Sequence, residues 1–145
     1  MKSFLLVVLV SWLFGPRVSV CQTRSDGIRS IEISYIDWYA ETVVPMACEE
    51  LISPVNNPSI GRIIIQQDQE FFRRISRGLR RLTPAKTNTR PDARIVIKIY
   101  YISNKESVVC VGINKALVFN SKAMEYSDDF EKLIRSAIPI SYFKE

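Results

Sequence analysis

Apolar residues alternate with other residues along the stretch from Arg94 to Phe119, which reads RIVIKIYYISNKESVVCVGINKALVF. A side-chain period of two is typical of a β-strand, because successive side chains point to opposite faces. The run from Val108 to Ile113 is apolar at both sets of positions, so we predict a central strand that is covered on both faces. The tetrapeptide SNKE and the pair Asn114 and Lys115 are predicted turns.

Shorter strand patterns lie on both sides of this stretch. Residues 31–35 alternate between apolar and polar, and Trp38 and Tyr39 extend that run. Residues 43–52, VVPMACEELI, are predicted to form a second strand, which Pro45 would hold at an edge of the sheet. Three more short strands are predicted at residues 63–65, 116–119 and 123–126.

Two segments carry apolar residues at helical spacing. The first helix is predicted over about 68–82, with Asp68 as its N-cap, although Gly78 weakens it by about 1 kcal/mol relative to alanine. The second is predicted over about 128–138, with Ser127 as its N-cap and Pro139 as its stop. The apolar positions are Phe71, Phe72, Ile75, Leu79 and Leu82 in the first helix, and Phe130, Leu133, Ile134, Ala137 and Ile138 in the second.

The order of these elements predicts the fold class. Strands, a helix, a run of strands and a helix give an α+β domain with a mostly antiparallel sheet of about five strands. A chain of 145 residues fits one such domain, which we place at residues 28–145.

The first 21 residues have the layout of a secretory signal peptide. Lys2 precedes an apolar run from Phe4 to Phe14, a Gly-Pro pair follows, and small residues stand at Ser19 and Cys21. Residues 22–27 are then a flexible polar leader. The mature protein is therefore expected to be exported, to a periplasmic or extracellular location, with no segment that spans a membrane.

Two fates of Cys21 stay open. Cleavage after Cys21 would release the domain, whereas VSVC also resembles a bacterial lipobox, in which Cys21 would be the lipidated first residue. Val20 departs from that pattern, which has a small residue there. Lipidation would be the only expected anchor in a membrane. Loss of residues 1–21 removes two of the 20 basic residues and none of the 15 acidic ones, so the net charge falls from +5 to +3. That charge does not favour a nucleic acid partner.

Cys48 and Cys110 remain in the mature chain. In an oxidising compartment we predict that they form a disulfide, which would contribute about 3–4 kcal/mol by closing a long loop. The alternative is a pair of buried, reduced thiols.

The composition excludes several kinds of catalysis. The chain has no histidine, so Ser-His-Asp and Cys-His mechanisms and histidine zinc sites are ruled out. Glycines are too few for a phosphate-binding loop, and no cysteines have zinc spacing. Glu49 and Glu50, like Asp128 and Asp129, are sequence neighbours that do not face each other across a cleft. We predict no catalytic residue, cofactor site or metal site.

One charged surface and one aromatic cluster are candidate binding sites. Five arginines of the first helix lie within about a 120° arc opposite its apolar stripe, which favours an anionic membrane surface or an acidic protein as ligand. A solvated outer helix face is the alternative. The second candidate is an aromatic patch with a carboxylate, suited to sugars or peptides, and its alternative is the end of a core strand. The arginines are Arg73, Arg74, Arg77, Arg80 and Arg81, and the patch comprises Tyr35, Asp37, Trp38 and Tyr39.

Three segments, SYIDWYAETVVPMAC, DARIVIKIYY and VCVGINKALVF, resemble small exported or lipid-anchored bacterial proteins of uncharacterised function. The resemblance implies an exported α+β domain with two cysteines in comparable places, and it implies no activity. Our leading hypothesis is a non-catalytic exported domain that binds a protein, peptide or envelope surface. The alternatives are a small exported hydrolase that uses carboxylates or a Ser-Lys pair, and a structural envelope lipoprotein.

Overall fold

The computed structural model describes residues 27–52 and 59–144. The predicted signal peptide, the leader up to residue 26 and Cys21 lie outside these residues. The strands are β1 Ile28–Tyr35, β2 Gly61–Ile65, β3 Ala93–Tyr101, β4 Glu106–Gly112, β5 Leu117–Phe119 and β6 Lys122–Met124. The helices are α1 Cys48–Ile52, α2 Gln69–Arg81 and α3 Asp128–Arg135, followed by a 3₁₀ helix at Ile140–Phe143.

The strands form one antiparallel sheet in the order β2-β1-β3-β4-β5-β6. The predicted α+β fold is therefore confirmed, with six strands where about five were expected. β3 and β4 occupy the two middle positions, so the stretch from Arg94 to Phe119 does form the centre of the sheet.

The main core lies between one face of the sheet and the pair α2 and α3. The alternation in β1 and β3 sends their isoleucines to this face, where Ile33 pairs in register with Ile97, and both are fully buried. Phe72 and Ile75 of α2 pack against them from the helix layer. Apolar side chains that recur at every second position in the strands thus pack against apolar side chains at helical spacing in α2, and together they form one layer.

Both long helices begin where the sequence predicts. The Asp68 carboxylate accepts a hydrogen bond from the Phe71 amide at 2.8 Å, and the Ser127 hydroxyl accepts one from the Phe130 amide at 3.3 Å. Helix α3 ends at Arg135, short of the predicted residue 138. The cause is a tightened last turn, in which the amide of Ile138 donates to the carbonyl of Arg135, three residues back.

The predicted strand over residues 43–52 is wrong. Its second half is helix α1, and the structure has no strand at residues 43–47. The apolar residues Cys48, Leu51 and Ile52 have helical spacing, and Leu51 is fully buried. β1 also ends at Tyr35, earlier than the predicted extension, because Asp37 accepts a hydrogen bond from the Tyr39 amide and forms a turn.

Helix α1 covers the opposite face of the sheet, where a smaller apolar cluster forms around Cys110. Cys110 is buried on this face while Val109 and Val111 are buried on the other, so the prediction of a doubly covered strand is confirmed. Cys48 and Cys110 lie at disulfide-bonding distance, with their Cα atoms 5.9 Å apart. The bond would fasten α1 to the middle of the sheet.

Candidate anion-binding site

The arginines of α2 are positioned by the packing of its opposite side. Phe71, Phe72 and Ile75 are buried against the sheet, so the helix cannot rotate without exposing them. The five arginines therefore lie on the solvent side, and all of them are exposed. Arg80 and Arg81 also stand in the last turn, where the helix dipole favours positive charge.

Four of these arginines border a groove between α2 and the start of β1. The groove has a volume of about 420 Å³, and its other wall is formed by Gly27 and Ile28. Phe72 and Ile28, which are nearly buried, give it an apolar floor. Its remaining polar lining, Gln69 and Ser76, is uncharged. We call this groove, with the arginines on its rim, the arginine groove; those arginines are Arg73, Arg77, Arg80 and Arg81.

Little negative charge from the described residues offsets this rim. Arg73 forms an ion pair with Glu70 one turn earlier in the helix, and both side chains are mostly exposed. Within residues 27–52 and 59–144, no carboxylate lies within ion-pair distance of Arg77, Arg80 or Arg81. Among the described residues, three guanidinium groups thus have no carboxylate partner, and guanidinium groups suit carboxylates and phosphates in particular.

Arg74 is separated from the other four. It lies on the far side of α2, beside a second depression that Asp68 and Glu70 also line. These two carboxylates make that depression a poor site for an anion. The structure therefore brings together four of the five predicted arginines.

The predicted aromatic patch is divided between core and surface. Tyr35 is buried, and its ring packs edge-on against Tyr142 with 4.6 Å between ring centroids. Burial, and then the charge and hydrogen bond of Tyr142, raise the pKa of Tyr35. Asp37 and Tyr39 are exposed on the loop that follows.

Trp38 is covered by the C-terminal part of the chain. The Arg135 guanidinium lies 4.8 Å from the Trp38 ring centroid and 3.9 Å from that of Phe143. Trp38 is only 8% exposed, so its ring faces are occupied by protein contacts. Of the aromatic residues in this patch, only Tyr39 has its ring open to solvent.

Sequence reasoning missed the role of Arg94, which is 3% exposed at the start of β3. Its guanidinium pairs with Asp92 at 2.7 Å and donates to the carbonyl oxygens of Trp38 and Ala40. The signal in the sequence is an arginine beside Asp92 at the start of a mostly apolar strand, since a buried charge needs partners. This network fixes the loop after β1.

A second polar network lies on the face of the sheet that α1 shares. Glu32 pairs with Arg62 at 3.0 Å and accepts a hydrogen bond from the Tyr100 hydroxyl at 3.2 Å. Burial, and then the charge and hydrogen bond of Glu32, raise the pKa of Tyr100.

Few polar or charged side chains are buried among the described residues. Their buried polar and charged side chains are Ser34, Arg94, Ser107 and Glu131, a set with no lysine in it. Glu131 pairs with Arg135 one turn later in α3. Across residues 27–52 and 59–144 no group of three or more cysteine, aspartate or glutamate side chains is arranged to hold a metal ion.

These features define the class of protein as an α+β domain with an arginine-lined groove on its outer helix. No protein family, curated protein or solved structure matches the chain in sequence or fold comparisons. The resemblance to small exported bacterial proteins stays a prediction. No helix in the described part of the chain is long and apolar enough to cross a membrane.

Proposed function

We propose that the protein is a non-catalytic exported domain that binds an acidic protein segment in the arginine groove. The observation that carries the proposal is the rim of four arginines along the α2 side of a groove with an apolar floor. Such a groove suits a segment that has both carboxylates and an apolar side chain, because each part then meets its complement.

The shape of the groove favours a protein segment over a bilayer. A flat anionic membrane binds basic residues that project from a convex face, often with apolar residues that reach into the lipid. Here the apolar side chains, Phe72 and Ile28, form the floor of the groove, below the arginines. A side chain can reach that floor, whereas a planar headgroup surface would contact only the rim.

The proposal can be tested with two labelled peptides. One alternates glutamate with valine, and the other alternates lysine with valine. The acidic peptide is expected to bind and the basic one to remain free in fluorescence anisotropy. The triple variant Arg77→Gln, Arg80→Gln, Arg81→Gln should weaken acidic peptide binding roughly tenfold or more, at about 0.5–1 kcal/mol for each lost charge contact.

A charge-matched control removes three exposed cations away from the groove: Lys86→Gln, Arg90→Gln and Lys122→Gln. It changes the net charge equally, so equal loss of binding in both variants would mean that overall charge, and not the groove, attracts the peptide. Sedimentation with phosphatidylglycerol vesicles tests the other ligand. If the groove binds vesicles and the acidic peptide does not bind, the ligand would be a membrane surface and not an acidic protein.

Export and anchoring are also part of the proposal. The apolar run from Phe4 to Phe14 and the small residues before Gln22 support a cleaved signal peptide. Mass spectrometry of the mature N-terminus distinguishes the two fates of Cys21. A free N-terminus at Gln22 would support a released domain, and an acylated Cys21 would support an envelope lipoprotein.

A further inference from the structure

The loop between β1 and α1 exposes apolar side chains to solvent. Val43 is fully exposed, and Val44 and Tyr39 are 69% and 45% exposed. Clustered exposed apolar residues on one short loop are typical of a docking surface, whereas single ones are ordinary. We call residues 39–44 the apolar loop.

The apolar loop is held at both ends. At its start, Arg94 donates hydrogen bonds to the carbonyls of Trp38 and Ala40, at 3.3 and 3.0 Å. Beyond its end, the Asp92 carboxylate accepts a hydrogen bond from the Met46 amide at 2.9 Å, and Cys48 lies at bonding distance from Cys110. Because its ends are fixed, the loop presents its valines with little freedom to lose on binding.

The chain segment that contains the apolar loop is acidic, and the two arginines beside it, Arg94 and Arg135, are each paired with a carboxylate. Residues 37–50 contain four carboxylates and no basic residue. All four carboxylates are exposed; they are Asp37, Glu41, Glu49 and Glu50. Helix α2 has the opposite balance, with five arginines and a single acidic residue, Glu70. The loop thus combines exposed valines with negative charge, and the arginine groove combines an apolar floor with positive charge.

The two surfaces lie at opposite ends of the sheet. The groove includes Ile28, at the start of β1, and Ile28 pairs with Tyr101 at the far end of β3. The loop is fixed beside Arg94, at the beginning of β3. The eight residues of β1 span about 26 Å at 3.3 Å per residue. The apolar loop therefore cannot reach the groove of its own molecule.

We propose that the arginine groove of one molecule binds the apolar loop of a second copy of this chain. This inference rests on the proposed function, because it names the acidic segment that the groove takes. Val43 or Val44 enters the groove toward Phe72. Glu41 and the other exposed carboxylates of residues 37–50 pair with the arginines of the rim. The contact is head-to-tail, so it joins molecules into open chains, or into closed rings where the rotation between neighbours closes.

The contact is small, since it consists of one loop and one groove. Interfaces well below about 1,000 Å² are weak, so we expect association at high protein concentration and low salt. Sedimentation velocity of the purified protein should show the weight-average sedimentation coefficient rising between about 10 μM and 1 mM. Raising the salt concentration should reverse that rise, because it screens the charges.

Two variants disable one surface each. The double variant Val43→Ser, Val44→Ser removes the apolar tip of the loop. Both valines are exposed, so we expect the variant to keep the fold. The triple arginine variant removes three of the four positive charges on the groove rim. Each variant alone should lose at least tenfold in association constant. A mixture of the two should form a one-to-one complex and nothing larger, because one intact loop still meets one intact groove.

The inference would be overturned by a monomer at about 1 mM in low salt, by undiminished association of the double serine variant, or by a mixture that forms no complex. Loss of vesicle binding in the double serine variant would instead make the loop a membrane contact, which also overturns it. The proposed function is tested separately. If the double serine variant still binds the acidic peptide while the wild type stays monomeric, the groove binds acidic segments but not this loop.

Discussion

Replacing Gly78 with alanine should destabilise the protein, although alanine is the better helix former. Gly78 lies three residues before the end of α2, and a Cβ atom added there would lie 2.5 Å from Cδ2 and 2.8 Å from Cε2 of Phe130. Carbon atoms in optimal contact are about 3.5–4.0 Å apart. Phe130 is buried in α3, so its ring has little room to move. Glycine therefore permits the close approach of α2 and α3.

Two opposing terms set the size of the effect. Helix propensity alone would make Gly78→Ala about 1 kcal/mol more stable. Inserting a methyl group into a packed contact costs about 1–3 kcal/mol. The packing cost is expected to prevail, with a net loss of about 1 kcal/mol. A loss of stability would show that the packing cost is the larger effect, and a gain would show that helix propensity is.

Urea denaturation followed by circular dichroism measures this change in free energy of unfolding. Ser76→Ala on the same helix is the control, since it alters propensity without facing Phe130, and it should be neutral or slightly stabilising. In a Phe130→Leu background, where the ring is absent, Gly78→Ala should become stabilising. A Gly78→Ala protein that is about 1 kcal/mol more stable than the wild type would refute the account of helix packing.

Three further predictions concern the rest of the fold. Replacing Cys48 and Cys110 by alanine should cost about 4 kcal/mol in free energy of unfolding, because the cysteines are 62 residues apart in sequence; an unfolding midpoint of the wild type that reductant does not change would argue against the bond. Asp92→Asn leaves the buried Arg94 charge without its carboxylate, so it should cost about 3 kcal/mol in urea denaturation, and a loss below about 0.5 kcal/mol would contradict this role. The raised pKa of Tyr100 means that the unfolded chain loses its tyrosine proton first, so stability should fall as the pH rises above about 10. Tyr100→Phe should reduce that fall in thermal melts at high pH, and an identical pH profile for both proteins would contradict the linkage.

Most of the sheet and the two long helices could be predicted from the sequence because their patterns are local. Ile31 and Ile33 alternate with polar residues along β1, and the Asp68 and Ser127 side chains cap their helices within a few residues. Such signals need no knowledge of distant parts of the chain. The strand pairing order, with β1 placed between β2 and β3, does not follow from them.

The errors arise where distant contacts override local preference. Residues 43–47 begin with two valines, which favour a strand, yet they form a loop. Arg94 binds the carbonyl of Ala40 before this segment, and Asp92 binds the amide of Met46 within it. Trp38 continues an aromatic run in sequence but is buried under Arg135, which is almost a hundred residues away. Neither contact leaves a periodic trace in the sequence.

The candidate site shows the same division between local and distant information. Helical periodicity places the five arginines on one face of α2, but it cannot reveal that Ile28 of β1 supplies the other wall of the groove. Nor does it separate Arg74, which lies with Asp68 and Glu70 on the far side of the helix. The sheet then adds a constraint that no single segment contains: β1 holds the basic groove and the acidic apolar loop at opposite ends of one rigid layer. Two complementary surfaces so separated can meet only between molecules, and this geometry is the reason to measure self-association first.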